Sequence, residues 1–133
     1  MRRVPLLLAV AFALAACGGN STAPFQAGPT AKCLRAKGFR VTTAEAKIGF
    51  VAAAAANGGL RAVPPDGNAL TIAFGSDGKD AVQHLVPAFR RFASPHYRKR
   101  FSDIFERKRN AVLIWTIAPT VEDLQTATGC LTS

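Results

Sequence analysis

Histidine, cysteine and acidic side chains are scarce in this chain of 133 residues, and each scarcity narrows the possible chemistry. Two histidines, His84 and His96, and three cysteines offer few ligands, which disfavours a structural metal site. The apolar run over residues 6–16 is also too short for a membrane-spanning helix, which needs about 20 apolar residues. The length suits one domain, and nothing in the composition points to a metal or another cofactor.

The first sixteen residues have the order of a secretory signal peptide. Two arginines precede the apolar run, and small residues lead into Cys17. The stretch Leu14-Ala15-Ala16-Cys17 resembles the lipobox of bacterial lipoproteins, a likeness that covers residues 1–20 only. The resemblance implies that Cys17 carries a lipid, that the chain is cut just before it, and that the protein is anchored outside the cytoplasm to a bacterial membrane. The alternative is an ordinary secretory peptide that happens to contain a cysteine.

The cysteine count leaves one thiol over in an exported protein. If Cys17 is lipidated, Cys33 and Cys130 remain as a pair in an oxidising compartment. Two free buried thiols or a metal site are the alternatives, and we favour the disulfide. In the chain-entropy model, closing a loop of about 100 residues stabilises a protein by about 4.7 kcal/mol.

The composition after Cys17 divides the mature chain into a tether and a domain. Residues 17–29 are rich in Gly, Pro, Ser and Thr and carry no charge, which predicts a flexible tether. Residues 30–133 are expected to form a single α+β domain. In it, a small, largely antiparallel sheet packs with helices, and the disulfide joins the terminal helices.

Capping residues, turns and apolar spacing predict the individual elements. Helices are predicted over residues 30–38, 44–56, 79–92 with a kink at Pro87, from Ser94 onward, and from Thr120 to Cys130. Strands are predicted over residues 39–41, 60–63, 69–74 and 111–117. For residues 103–107 the patterns leave open a helix or a strand.

Positive charge is concentrated between residues 90 and 109, where eight cations meet only Asp103 and Glu106. These cations are Arg90, Arg91, Arg98, Lys99, Arg100, Arg107, Lys108 and Arg109. They predict either a solvated helix face or a surface that attracts an anionic lipid, a wall polymer or an envelope protein. Nucleic acid is a poor candidate partner, since export separates the protein from the cytoplasm.

Asp80 and His84 stand four residues apart on a predicted helix, so the carboxylate could orient the imidazole. No recognised nucleophile motif accompanies them, and such a pair is usually a helix-surface interaction. The sequence therefore favours a non-enzymatic binding or accessory module that uses its basic segment. A small-solute-binding lipoprotein is the alternative, and a hydrolase is disfavoured. A cavity of a few hundred Å³ with converging polar groups would favour solute binding.

Overall fold

A five-stranded antiparallel sheet forms the centre of the computed structural model, which describes residues 22–133. Its strands are β1 (Arg40–Thr42), β2 (Gly59–Val63), β3 (Leu70–Phe74), β4 (Phe105–Lys108) and β5 (Ala111–Trp115). They lie in the order β1-β2-β3-β5-β4, and every neighbouring pair is antiparallel. The predicted α+β class is confirmed, whereas the signal peptide and Cys17 lie outside the described residues.

Two hairpins supply most of the sheet. The β2–β3 hairpin closes through residues 64–69, which contain the turn-forming sequence Pro65-Asp66-Gly67. The β4–β5 hairpin turns at Arg109 and Asn110, and Arg109 adopts the left-handed conformation with a φ of 53°. Of the two alternatives for residues 103–107, each is correct in part, because a helix ends at Ile104 and β4 follows it.

Short helices cover both faces of the sheet. They are α1 (Ala27–Ala36), α2 (Glu45–Ile48), α3 (Phe50–Ala53), α4 (Gly78–Asp80), α5 (Val86–Phe92), α6 (Pro95–Lys99), α7 (Phe101–Ile104) and α8 (Val121–Gly129), with a π-helical segment, Ala81–Leu85, between α4 and α5. Alternate residues of a strand point to opposite faces. Ile72 and Leu113 pack in the cluster that includes residues of α1 and α8, whereas Ala73 and Val112 pack against α3 and the π-helical segment.

The terminal helices are joined as the sequence predicts. Cys33 of α1 and Cys130, directly after α8, form a disulfide that spans 97 positions, with their Cα atoms 5.4 Å apart. Thr30 supports the same junction, since its buried Oγ1 accepts a hydrogen bond from the N–H of Thr132 at 3.2 Å. The two ends of the domain are thus held together on one face of the sheet.

The predicted tether over residues 17–29 is wrong at its C-terminal end, because the fold begins before residue 30. Phe25 is buried, and its N–H donates to Oδ1 of Asn110 at 2.9 Å. Helix α1 begins at Ala27, so Thr30 lies inside the helix rather than at its cap. The composition of this stretch suggests a linker, but a partner distant in sequence orders it.

The single helix predicted over residues 44–56 is also wrong. Gly49, with a φ of 85°, separates α2 from α3, and Ala53 ends the second helix. The stretch Thr42-Thr43-Ala44-Glu45 has the spacing of a capping box, but none forms, because Thr42 Oγ1 accepts from the N–H of Ala44 and Ala44 itself occupies the N-cap. The interruption leaves two short helices that together cover only part of the sheet.

The helix predicted over residues 79–92 forms with a π-helical turn inside it. Asp77 caps it by accepting the N–H of Asp80 at 2.7 Å, and Val86 donates to the carbonyl of Ala81, five residues back. The extra residue per turn rotates the helix face. The helical spacing of Val82 and Leu85 predicts that both face the core, but Val82 is exposed and only Leu85 is buried.

The helix predicted from Ser94 begins there, with the Ser94 hydroxyl accepting from Tyr97. It breaks at Arg100 and continues as α7. The spacing of Tyr97, Phe101, Ile104 and Phe105 predicts one face of a continuous helix, and this face does not form because Phe105 already belongs to β4. Tyr97 remains partly exposed, whereas Phe101 and Ile104 are buried. The last helix, α8, begins after Thr120 as predicted, because Thr120 Oγ1 accepts from Asp123 at 3.1 Å.

Candidate functional site

An apolar cavity of about 520 Å³ lies on the sheet face opposite α1 and α8. Thr71 of β3 and Ile114 of β5, which are partners across the sheet, contribute to its floor. Residues of α2, α3, α5, α6 and α7 and the ends of β3 and β5 also line it. They include Ile48, Val51, Ala52, Phe89, Phe101, Ile104, Ala69 and Trp115.

The cavity exists because the helices on this face cover the sheet unevenly. Above the pair Ala73 and Val112, α3 and the π-helical segment meet and form a closed core with Ala52 and Leu85. One step further along the same face, at Thr71 and Ile114, the helical layers do not close over the sheet. The space left there is bordered by aromatic side chains.

Two exposed phenylalanines line this cavity from opposite helices. Phe50 of α3 is 75% exposed and Phe92 of α5 is 65% exposed. Their rings meet edge to face with centroids 5.7 Å apart. Large apolar side chains exposed at a concave site mark a place where a ligand or partner can cover them. We call these two residues the aromatic pair.

The cavity lining contains no charged side chain and few polar ones. The hydroxyls of Ser94 and Thr116 already take part in hydrogen bonds, with the Tyr97 N–H and the Ala69 carbonyl respectively. The indole of Trp115 is 1% exposed and packs in the cluster with α1 and α8 residues, so its N–H, which has no partner within the described residues, is not an accessible contact for a ligand. The cavity thus has the size expected of a solute site but lacks converging polar groups among its lining residues, so it suits a mainly apolar ligand.

All eight cations of the basic segment are exposed, but the structure divides them between two places. Arg90 and Arg91 lie near the end of α5, and Arg98, Lys99 and Arg100 lie in or directly after α6. We call these five the cavity-side cations, because α5 and α6 supply part of the cavity wall.

The other three cations, Arg107, Lys108 and Arg109, occupy the β4–β5 hairpin at the opposite end of the helical layer. The backbone carbonyl of Arg109 lies 3.5 Å from the Cβ position of Gly78, where α4 begins. Gly78 and Arg90 are twelve residues apart, or about 18 Å at the usual rise of a helix. The basic segment therefore does not gather its charges into one cluster.

The hairpin cations have structural partners. The Arg109 guanidinium stacks 4.4 Å from the Phe25 ring centroid and donates to the Ala23 carbonyl at 2.7 Å. Arg107 donates to the carbonyl of Arg109 at 3.2 Å. These contacts help to hold the N-terminal stretch against the hairpin.

The predicted contact of Asp80 with His84 forms at the start of the α4–α5 region, with Oδ1 and Nδ1 2.8 Å apart. The other carboxylate oxygen accepts the N–H of Ser76 at 2.8 Å, and this bond is the main cause that lowers the pKa of Asp80. His84 is largely exposed, and its only hydrogen bond within the described residues is to Asp80. The pair thus acts as a helix-surface interaction, as predicted.

Comparisons with known proteins assign no function to this chain, so a function can be proposed only from the geometry of the candidate site. No protein-family model matches the chain, and neither a curated protein nor a solved structure does. Within residues 22–133, none of the helices has the length and apolar character needed to span a membrane.

Local sequence patterns do not predict the cavity. Its floor and walls come from segments that are far apart in the chain, from Ile48 to Thr116. The one local signal is the pair of phenylalanines, Phe50 and Phe92, whose exposure depends on how α3 and α5 are placed.

Proposed function

We propose that the protein is an exported, lipid-anchored, non-enzymatic binding protein that holds an apolar small molecule in the cavity. The cavity is the observation that carries this function. Its volume of about 520 Å³ falls within the range of about 300–1,000 Å³ that is usual for ligand sites. The lipobox supports export and lipid anchoring, whereas the cavity supports the binding of a small molecule.

The apolar lining accounts for both affinity and selectivity. Each methylene group that a ligand buries there contributes about 0.8 kcal/mol, whereas a buried polar group without a partner costs free energy. The exposed aromatic pair, Phe50 and Phe92, extends the apolar surface outward. A molecule with a flexible hydrocarbon portion fits this lining best.

Trp115 provides a direct test, because it lines the cavity and is the only tryptophan in the chain. A chain that begins at residue 18 keeps the sheet, the core and the disulfide, all of which lie between Phe25 and Leu131. A long-chain fatty acid methyl ester brominated in mid-chain should quench Trp115 fluorescence in a saturable way, since bromine quenches tryptophan only at short range.

Two matched substitutions make this test specific. Thr71→Phe places a bulky ring on the cavity floor and should abolish saturable quenching. Thr43→Phe introduces the same ring at an exposed position outside the cavity lining and should leave quenching intact. Absence of quenching in the parent protein, or equal quenching in both variants, would contradict ligand binding in the cavity.

Electrostatic binding to an anionic lipid surface is a second candidate function. It is favoured by the exposure of all eight cations, none of which pairs with a carboxylate within the described residues. Binding to phosphatidylglycerol vesicles should fall as salt rises, because exposed charges are screened, and phosphatidylcholine vesicles should not bind. Unchanged binding after neutralisation of the cavity-side cations would contradict this function.

The lipid anchor stays a prediction from the lipobox. Its test is Cys17→Ser, which should prevent the full-length protein from acquiring lipid. Lipid labelling that persists in this variant would refute the assignment of Cys17.

A further inference from the structure

We propose that the ligand of the cavity is a single-chain anionic amphiphile, such as a long-chain carboxylate. Its hydrocarbon chain would occupy the cavity, and its head group would meet the cavity-side cations. This inference rests on the proposed function and adds the chemical class of the ligand. It assigns the cations of α5 and α6 to the same site as the apolar cavity.

The charges around the cavity are strongly unequal. Residues 86–104, which form one wall, carry the five cavity-side cations and a single carboxylate, Asp103. Across the cavity, residues 45–53 carry one charge of each sign, Glu45 and Lys47. The lining itself is uncharged. The charges carried by the segments that wall the cavity thus favour an anion over a cation beside it, and the lining favours an apolar group inside.

Arg90 connects the charged edge to the apolar interior. Its guanidinium carbon lies 4.9 Å from the ring centroid of Phe101, a buried residue that lines the cavity. Arg90 is exposed, and within the described residues its N–H groups have neither a carboxylate nor another hydrogen-bond acceptor. A guanidinium held against a ring keeps its planar fork available for a carboxylate or phosphate.

The aromatic pair places apolar surface beside the cavity-side cations, as the binding of an amphiphile requires. Phe92 follows Arg91 directly in α5, so an apolar and a cationic residue adjoin at the end of the same helix. Phe50 reaches the Phe92 ring from α3 and extends the apolar surface. A neutral hydrocarbon would use only the apolar part of this arrangement, whereas an anionic amphiphile uses both parts.

The experiment compares the brominated fatty acid with its methyl ester, which has the same chain but no charge. Trp115 quenching is followed at low salt, below the concentration at which either probe forms micelles. The acid should bind about three- to fivefold more tightly than the ester, a modest charge contribution at an exposed site. Raised salt should reduce this preference, because the cations are exposed.

Matched triple variants assign the preference to the cavity-side cations. Arg90→Gln, Arg91→Gln and Arg98→Gln together should abolish the preference, because acid binding should weaken much more than ester binding. The control variant removes the same amount of charge from the opposite face of the sheet. It combines Lys32→Gln, Arg35→Gln and Lys37→Gln, in α1 and the residue after it, and it should keep the preference for the acid. Far-UV circular dichroism verifies that both variants are folded.

The outcomes separate this inference from the proposed function. Equal affinity for acid and ester in the parent protein would overturn the inference and leave the cavity function standing. Equal loss of preference in the two triple variants would also overturn it, since net charge alone would then explain the effect. If neither probe quenches Trp115, both proposals fail.

Discussion

Asn110 holds three separate parts of the chain together through one buried side chain. Its Oδ1 accepts the N–H of Phe25, and its Nδ2 donates to the carbonyls of Phe25 and Gly75, at distances of 2.8–2.9 Å. It is 2% exposed, so water cannot replace these bonds if they are lost. Asn110 also forms the β4–β5 turn together with Arg109. Its side-chain hydrogen bonds therefore link this turn to the N-terminal stretch and to the end of β3.

Asn110→Ala should therefore destabilise the protein by about 2–4 kcal/mol, because it leaves buried backbone groups without partners. The midpoint and slope of urea denaturation measure this change. Asn57→Ala is the matched control, since half-buried Asn57 makes a single bond to the same Gly75 carbonyl and should cost about 1 kcal/mol. A cost for Asn110→Ala no greater than that of the control would contradict this role.

The sequence identifies Asn110 only as a turn residue. Its partner Phe25 lies 85 positions away, in a stretch whose composition is that of a tether. Local patterns report what a residue prefers in its own segment, and they carry no information about a contact over this distance. The same limitation explains why the beginning of the domain is predicted too late.

At the level of elements, three N-caps are predicted correctly, whereas the caps predicted at Thr30 and Thr42 are wrong and the break at Gly49 is missed. Asp77, Ser94 and Thr120 all accept hydrogen bonds from the first turns of their helices, as their residue types suggest. The break at Gly49, with a φ of 85°, and the π-helical segment, which lies just before Pro87, do not follow from apolar spacing. Gly49 lines the cavity, so this part of the site could not be predicted from periodicity.

Asp80 contributes to the start of one of these helices, and its effect should depend on pH. The Ser76 N–H lowers the pKa of Asp80 below its usual 3.8, so the folded state favours the carboxylate. The stabilisation is therefore present above pH 3.8 and is lost as the pH falls through the lower folded value. Asp80→Asn should lower stability at pH 7 by about 0.5–1 kcal/mol, as expected for a charge at a helix N-terminus.

Urea denaturation at neutral pH and at about pH 2 tests this prediction, because the carboxylate is protonated in acid. The difference between the parent protein and Asp80→Asn should narrow at the acidic pH. His84→Gln removes the imidazole but keeps the bond to Ser76, so its effect at neutral pH should be smaller. A pH-independent cost of Asp80→Asn would show that the charge is not responsible.

Across the whole molecule, the two faces of the sheet serve different purposes. The face under α1 and α8 carries the larger buried cluster and the disulfide. The opposite face carries the cavity, the aromatic pair and the cavity-side cations. The disulfide was predictable because the cysteine count and the compartment leave one pair, whereas the cavity depends on how two helical layers fit one sheet.

This division predicts that stability and ligand binding can be separated. Replacing both Cys33 and Cys130 with alanine should lower the free energy of unfolding by about 3–5 kcal/mol, as loss of a closure of about 100 residues implies. Because the disulfide lies across the sheet from the cavity, the variant should still bind the brominated ester wherever it remains folded. The parent protein with reductant should behave like the variant in urea denaturation. Equal urea midpoints with and without reductant would refute the stabilising role of the disulfide. Loss of ester binding in the folded variant would show that the two faces of the sheet are coupled.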